Sequence, residues 1–568
     1  MTHIEKRWQI APRISQQAEE SLRKYFPVAR QILYNRGLAS EEAADDFLDS
    51  SFEQDDGSAP TLAGVAEAVD RLATALENHE HIVVYGDYDT DGVTATALLV
   101  DTFSALGADV RGYIPNRFED GYGLNTEALD EIKADGAHVV VTVDCGIRAL
   151  EEIAYARSLG LDMIVTDHHT TSDELPSAVA IINAKRPDDP YPDKNLAGVG
   201  TAYKLASALL GRFKPNTISE MQLLDLVAVG TVADLVPLVG ENRRLVKQGL
   251  ETLRTPHRQG LYALMQMVDL DPRSITASDI GFMLGPRLNA AGRLASALEA
   301  YKLLVTKDVQ EAGQLAQELD NLNRERQQIT RDMLTRSEEM AVDGGTVKPL
   351  LFAADPEFNP GVVGLAASRL VDQYYRPAVV AYQGEEFTRA SCRSIPEFHI
   401  TDALDKCADI LVRHGGHAAA AGFTVKNENL EALIERLEAD AKEQLHDLDL
   451  RPVLHADVEV QLVDLRQQLL DFLAQLEPTG YGNPEPLFIT RNLRVKRSRA
   501  VGRDGAHLKL SVTDGWETMD AIAFRQGHWQ ANMPAEIDLL YAFELNEFQG
   551  RTNLQLNVRD IKPSNATE

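Results

Sequence analysis

The chain has 568 residues, too many for one ordinary hydrophobic core, so three or four domains are expected. Its 44% hydrophobic, 25% charged and 6% aromatic residues exclude a disordered or fibrous protein and fit a soluble globular one. The formal net charge of -31 excludes a surface that is basic throughout, so a polyanion would have to meet a local basic patch.

The N-terminus, MTHIEKRWQIAPR, has no apolar core followed by a small-residue cleavage site, and no later stretch is apolar for long enough to span a bilayer. Cys145, Cys392 and Cys407 are few, odd in number and far apart, which speaks against a disulfide framework or a cysteine zinc site. A reducing, cytoplasmic location is expected.

Residues 1–60 read as short helices and an acidic loop, punctuated by Asp55-Asp56-Gly57-Ser58 and Pro60, with no evident chemistry. From 61 to 305, β-branched runs alternate with helical ones: HIVVYGD, AHVVVTVD, LDMIVTD and AVAIIN. The alternation predicts a mostly parallel sheet with helices on both faces, an α/β domain. Residues 306–345 are charged, contain no proline and place Leu315, Leu319 and Leu322 at helical spacing, so a long connecting helix is expected. A second α/β segment, 346–445, carries FNPGVVGLAASRL, RPAVVAY and the glycine-rich HGGHAAAAGF. In 446–568, Leu508, Leu510 and Val512 alternate, as do Leu554, Leu556 and Val558, with turn signals at Asp504-Gly505, Asp514-Gly515 and Gln549-Gly550. A small β-barrel of the OB-fold kind is expected there. Within it, RNLRVKRSRAVGR sets Arg491, Arg494, Lys496, Arg497, Arg499 and Arg503 together with no acid between them, a candidate nucleic-acid surface.

Three of the β-branched runs end in an acid, at Asp87, Asp144 and Asp167, which collects carboxylates at the carboxyl edge of one sheet, where open α/β sheets bind their ligands. The densest group is GDYDTDG, with Asp87, Asp89 and Asp91 alternating directly after a strand. Carboxylates so close raise one another's pKa values, and a divalent cation is the economical way to keep all three ionised. The bland alternatives are an acidic turn or a solitary Ca²⁺ loop, but the Glu that closes such a loop is missing. Asp167-His168-His169 adds an imidazole ligand and an orienting acid at the same edge, and a mixed carboxylate and imidazole set suits Mn²⁺, with Mg²⁺ as the alternative. Asp234, in GTVADLVPL, fits either a ligand or a helix cap.

The order GDYDTDG, IPNRFEDGYG, VTVDCG, TDHH, GTVADLVPL, GPRLNAAGR, SCRSIPEFH and HGGHAAAAG resembles the DHH phosphoesterase superfamily from about residue 60 to the C-terminus. That resemblance implies two metal ions held by Asp89, Asp91, Asp144, His168 and Asp234, with Asp87 nearby, and His169 facing the scissile phosphate. Asp144, in the middle of the set, is the candidate bridge and, with His169, the candidate catalytic residue. A metal pair lowers the pKa of water and screens charge developing on the phosphoryl group. Arg117, Arg287, Asn289, Ser391, Arg393, His414, Gly416 and His417 are the substrate-phosphate-binding residues the resemblance implies, and Gly415 and Gly416, between the two histidines, would let the backbone approach a nucleotide. Without the resemblance, each of these arginines reads equally well as a surface ion pair. Relatives commonly carry Trp-His where this chain has Phe358-Asn359.

The activity implied is 5′-to-3′ hydrolysis of single-stranded DNA to 5′-mononucleotides in recombination and repair. A monomer working with a RecQ-type helicase and a single-strand-binding protein is implied with it. A phosphodiesterase for short oligonucleotides or cyclic dinucleotides, or a pyrophosphatase, would have little use for the barrel. A catalytically dead binding protein would have no need of the full acid set.

Overall fold

The computed structural model describes residues 4–49, 61–117, 123–343, 346–548 and 551–564. The acidic loop around Asp55 and Pro60, most of the EDGYG end of one motif, Gly344 and the Gln549-Gly550 turn signal lie outside them. By their contacts the described residues form two bodies: 8–286, 301–312 and 454–564 in one, and 4–7, 287–300 and 313–453 in the other.

In the first body the β-branched runs form an all-parallel sheet. Its strands are β1 (Ile82–Tyr85), β2 (Val110–Tyr113), β3 (Val139–Val143), β4 (Asp162–Thr166) and β5 (Ala180–Ile182), in spatial order β2-β1-β3-β4-β5. Every residue of β1 and β3 is buried, because helices cover both faces and leave no solvent-facing alternate positions. The edge strand β2, with the sequence VRGY, lacks that signature and was not legible as a strand. Three helices matter for the site: α1 (Thr90–Ala105), α2 (Gly198–Phe213) and α3 (Glu220–Ala233), which pack on one another. α3 is apolar almost all round and buried along most of its length, as an interior helix must be.

The second body contains most of the expected long helix, α4 (Val309–Ala341), whose Leu315 and Leu319 are buried. Its sheet has strands β6 (Leu351–Asp355), β7 (Ala378–Gln383), β8 (Phe387–Arg393), β9 (Leu411–His417) and β10 (Ala420–Lys426), in order β9-β10-β8-β7-β6. β6 and β7 are parallel and the other pairs antiparallel. On one face, α5 (Val363–Tyr374) and α4 pack over Leu351, Ala353, Ala378 and Val380 of β6 and β7. On the other, α6 (Ile400–Asp405) and α7 (Leu430–Leu445) cover Val379, Cys392, Ala421, Phe423 and Val425.

The C-terminal strands β11 (Phe488–Val501), β12 (His507–Thr513), β13 (Thr518–Ala523), β14 (Glu536–Phe548) and β15 (Arg551–Pro563) run in order β11-β12-β13-β15-β14 and close through β11 and β14. Closure makes the expected barrel and removes its free edges. The N-terminal segment is not a separate unit: Leu22, Ile32 and Leu33 share a core with Leu469, Phe488 and Leu510 of the barrel region. Arg243 ties this region to the parallel-sheet domain by donating to the carbonyls of Phe47, Gln475, Leu476 and Pro478.

Among the described residues no helix is long and apolar enough to cross a membrane. All three cysteines are buried, unbridged thiols.

Candidate metal centre

The carboxyl edge of the parallel sheet brings the sequence-predicted ligands together. Asp144 follows β3 directly and adopts a left-handed backbone (φ 60°), which Asp and Asn tolerate better than other residues with a Cβ. Asp89 caps α1, its Oδ1 accepting from the backbone N–H of Asp91 (2.9 Å) and Gly92 (3.2 Å). Asp91, 1% exposed, is clamped by the first turn of α2, whose Gly198 and Val199 N–H groups donate to its two oxygens at 2.7 and 2.8 Å. Two glycines make room: a Cβ on Gly198 would lie 2.7 Å from the Asp144 Cβ, and one on Gly230 would lie 2.3 Å from Thr94 Oγ1. Asp234 is the C-cap of α3.

His168 Nε2 lies 3.0 Å from Asp144 Oδ1, 3.6 Å from Asp234 Oδ2 and 3.9 Å from Asp91 Oδ2, yet it makes no hydrogen bond. The buried Oδ1 of Asp87 also has no hydrogen-bond partner. Burial, with His169 beside it, pushes the His168 imidazole down to about 3, so it is neutral and able to ligate. In the absence of a cation, burial and then Asp89 push Asp91 up to about 7. Burial and then Asp91 push Asp234 up to about 9, and Asp87 and Asp144 rise well above the usual carboxylate range for the same reasons.

Three groups of side chains bring ligand atoms within 4.8 Å of one another: Asp91, His168 and Asp234; Asp87, Asp89 and Asp144; and Asp144, His168 and His169. Orphaned buried acceptors among carboxylates that crowd one another fit a divalent cation.

Asp167 orients His169 rather than His168. Its Oδ1 lies 2.8 Å from His169 Nδ1 and accepts from the His168 and His169 backbone N–H, while Oδ2 accepts from Ile147 N–H. Burial pushes the Asp167 carboxyl up, but the hydrogen bond and charge of His169 and these amides outweigh it and hold it below the usual range. Burial likewise lowers the His169 imidazole, and the Asp167 hydrogen bond and charge more than reverse that. The ring is partly exposed, within a substrate's reach.

Arg117 stacks over the Tyr88 ring, 4.8 Å from its centroid, and its charge acts on Asp87. Sequence reasoning missed Lys185, a half-buried amine pushed down by burial and pulled up by Asp234 and Asp167. Its only sequence signal was its place three residues past β5, at the same sheet edge.

In the second body, Arg287 pairs with Asp320, which also holds Arg324. Asn289 is two positions along the same helix, so the two side chains point in different directions. Arg326, also missed, has a buried Nε without a hydrogen-bond partner and lies near enough to Arg369 and Arg287 for their charges to lower its pKa, after burial. Arg393 Nη1 donates to Ser391 Oγ at 3.0 Å, and a Cβ on Gly364, in the first turn of α5, would lie 2.9 Å from that Oγ.

His417 shares its sheet row with Ala420 and Arg393, whereas His414 points to the other face, its Nε2 2.7 Å from Asp405 Oδ1. Gly416 is left-handed (φ 153°), and a Cβ there would lie 2.4 Å from the Ala420 carbonyl oxygen. Phe358 is buried in the core, and Asn359 Oδ1 accepts from Gly361 N–H at 2.8 Å, closing the turn before α5.

The basic strand of the barrel is partly neutralised. Arg491 pairs with Glu459 and Asp538, Arg494 pairs with Glu536, and Lys496 donates to Thr518. Arg497 and Arg499 are exposed and make no ion pair among the described residues.

Residues 81–231 match the DHH family, N-terminal domain, residues 347–443 the DHHA1 domain, and residues 456–560 the RecJ OB domain. The chain is 39% identical to the single-stranded-DNA-specific exonuclease RecJ of Salmonella typhimurium, over 94% of this chain and 96% of that one. It is 39% identical to the RecJ of Bacillus subtilis over 98% of this chain and 71% of that one. The crystal structure of RecJ from Thermus thermophilus in complex with Mn²⁺ superposes with a TM-score of 0.84 at 31% identity, covering 99% of this chain and 80% of that one. The same protein in complex with Mg²⁺ gives a TM-score of 0.78. The chain therefore belongs to the RecJ family.

Proposed function

We propose that the chain is a metal-dependent exonuclease specific for single-stranded DNA, degrading it from the 5′ end to 5′-mononucleotides with two ions, Mn²⁺ or, as the alternative, Mg²⁺. The observation that carries the reading is the pair of ligand groups with Asp144 between them: Asp91, His168 and Asp234 on one side, Asp87 and Asp89 on the other. One ion would take each group, with Asp144 as the ligand common to both. When bound, the ions lower the pKa of the attacking water and offset charge on the phosphoryl oxygens. His169, whose Nδ1 is engaged by Asp167, would donate from its protonated Nε2 to an oxygen of the scissile phosphate. Arg117 and Lys185 bring positive charge to the same sheet edge, and Arg287, Asn289, Ser391, Arg393 and His417 supply phosphate contacts.

On this reading residues 61–305 are the catalytic domain, 346–445 the substrate-phosphate domain and 446–568 the strand-holding barrel. The barrel favours long strands over dinucleotides or pyrophosphate, because its exposed Arg497 and Arg499 have use only for an extended polyanion. Work in the cytoplasm as a monomer, beside a RecQ-type helicase and a single-strand-binding protein, belongs to the same proposal.

Digestion of a strand labelled separately at each end, with a duplex control, tests it. Early release of labelled mononucleotide from the 5′ end of the single strand is expected. Release from the 3′ end, or equal attack on duplex, would overturn the polarity or the specificity.

A further inference from the structure

The sheet of the second body is covered unevenly. On the face that carries Ser391 and Arg393, α4 and α5 pack over β6 and β7. On the other half of the same face, β8, β10 and β9, unpaired basic groups collect. Strand register fixes the rows: Arg393, Ala420 and His417; Ser391, Gly422 and Gly415; Arg389, Thr424 and Arg413. Directly opposed residues share a face, so these rows stack along it at about 7 Å intervals, two residues of strand rise. Arg389 and Arg413 are exposed and line one cleft of about 350 Å³.

The charge of this face is uniformly basic. In a chain of net charge -31, Arg389, Arg393, Arg413 and His417 make no ion pair among the described residues. No Asp or Glu occupies any of the three rows. The hydrogen bonds of Arg413 Nε to Thr424 Oγ1 (3.4 Å) and of Arg393 to Ser391 and the Cys392 carbonyl are to neutral groups. In the row between the arginines, the β10 and β9 positions are glycine: a Cβ on Gly415 would meet nothing within 4 Å, so the surface there is open to a flat or bulky ligand. Arginines on either side of that glycine pair, one strand step beyond a serine and arginine pair, match a polyanion whose charges repeat at the same step.

We infer that Arg389 and Arg413 form a second phosphate subsite, which grips the nucleotide phosphate next to the one held at Ser391 and Arg393. The inference rests on the single-strand exonuclease reading and assigns to that substrate a track along the open half of the sheet. Its ligand is the phosphodiester backbone of single-stranded DNA, bound without regard to base.

The test uses the full-length protein, in chelator so that strands are not cut, with strands that carry one uncharged methylphosphonate linkage scanned over the terminal positions. For the wild type, one linkage near the end should weaken binding by roughly tenfold when neutralised. In the double variant Arg389→Gln/Arg413→Gln that linkage should become silent, while the others keep their cost. The salt dependence of log Kd should flatten by about 0.7, one phosphate's worth for a single strand. Arg389→Lys/Arg413→Lys, which keeps both charges, should recover the wild-type slope, and circular dichroism should show all three proteins equally folded. A folded Gln variant with the wild-type salt slope and the wild-type linkage profile overturns the subsite and leaves the nuclease reading intact. A wild type that neither binds nor degrades single strands overturns the nuclease reading itself.

Discussion

Replacing Asp144 with Asn isolates its charge from its shape. Asn has the same size and tolerates the left-handed backbone that Asp144 adopts, at φ 60°, whereas Ala would add strain of about 1 kcal/mol. The Asp144 carboxyl is pushed well above the usual range by burial and then by Asp91, Asp89, Asp87 and Asp234, so removing its charge relieves repulsion when no cation is bound. In chelator the variant should therefore melt at or above the wild-type temperature. With a cation the order reverses: a ligand at a hundred times its Kd stabilises the wild type by about 2.7 kcal/mol, roughly 5 to 10 °C for a domain of this size, and the variant should lose most of that gain. On the proposed two-ion reading Asp144 is the ligand common to both, and its loss would forfeit several kcal/mol of transition-state stabilisation, so cleavage should fall about a thousandfold or more. The assays are differential scanning fluorimetry in chelator and in Mn²⁺, with initial rates on an end-labelled strand. A folded Asp144→Asn protein that cleaves within tenfold of the wild type would refute the placement of the active site.

Metal affinity should rise with pH. Asp91 and Asp234 are held up at about 7 and about 9 without a cation, so the folded protein keeps protons that the unfolded chain has released. Chelated protein should lose stability as pH rises from about 4 to about 9, and Mn²⁺ should bind more tightly over pH 6 to 9. Calorimetric affinities that stay flat with pH would contradict this. Asp167→Asn removes the charge that overcomes burial at His169, so the imidazole pKa, read by NMR, should fall below its ordinary value and turnover should drop by about a hundredfold. Arg243→Met removes the guanidinium's hydrogen bonds to four carbonyls of the joint, leaving Leu476 and Pro478 with only the bonds from Asn483 Nδ2, and should cost about 3 kcal/mol in denaturant unfolding; a loss under 1 kcal/mol would show that the joint is not structural. Arg497→Gln/Arg499→Gln should weaken long-strand binding while sparing cleavage of very short oligonucleotides, and equal losses on both would deny the barrel its separate task.

The carboxylate edge was legible because each acid follows a strand whose β-branched run announces itself: Asp87 after HIVVY, Asp144 after VVVTV, Asp167 after DMIVT. Features made by contacts distant in sequence were not. The clamp of Asp91 by the Gly198 and Val199 amides joins groups more than 100 residues apart. The acids that neutralise Arg491 and Arg494 come from Glu459, Asp538 and Glu536, so a run free of acid in sequence is not free of acid in space. His414 and His417 look equivalent around two glycines, but strand alternation sends them to opposite faces. The N-terminal helices carried an apolar stripe without an address, and their burial in the barrel core shows only in three dimensions.

Asp144 is proposed to join two ion sites into one centre that cuts single-stranded DNA. Electron paramagnetic resonance of Mn²⁺ added stepwise to the wild type and to Asp144→Asn, with cleavage of a single strand followed in the same samples, tests it most directly. The wild type should give an exchange-coupled pair as two equivalents bind, with activity rising as the coupled signal grows, and the variant should give uncoupled ions and little cleavage. Full activity with one uncoupled Mn²⁺ per chain, or in excess chelator, would contradict the account.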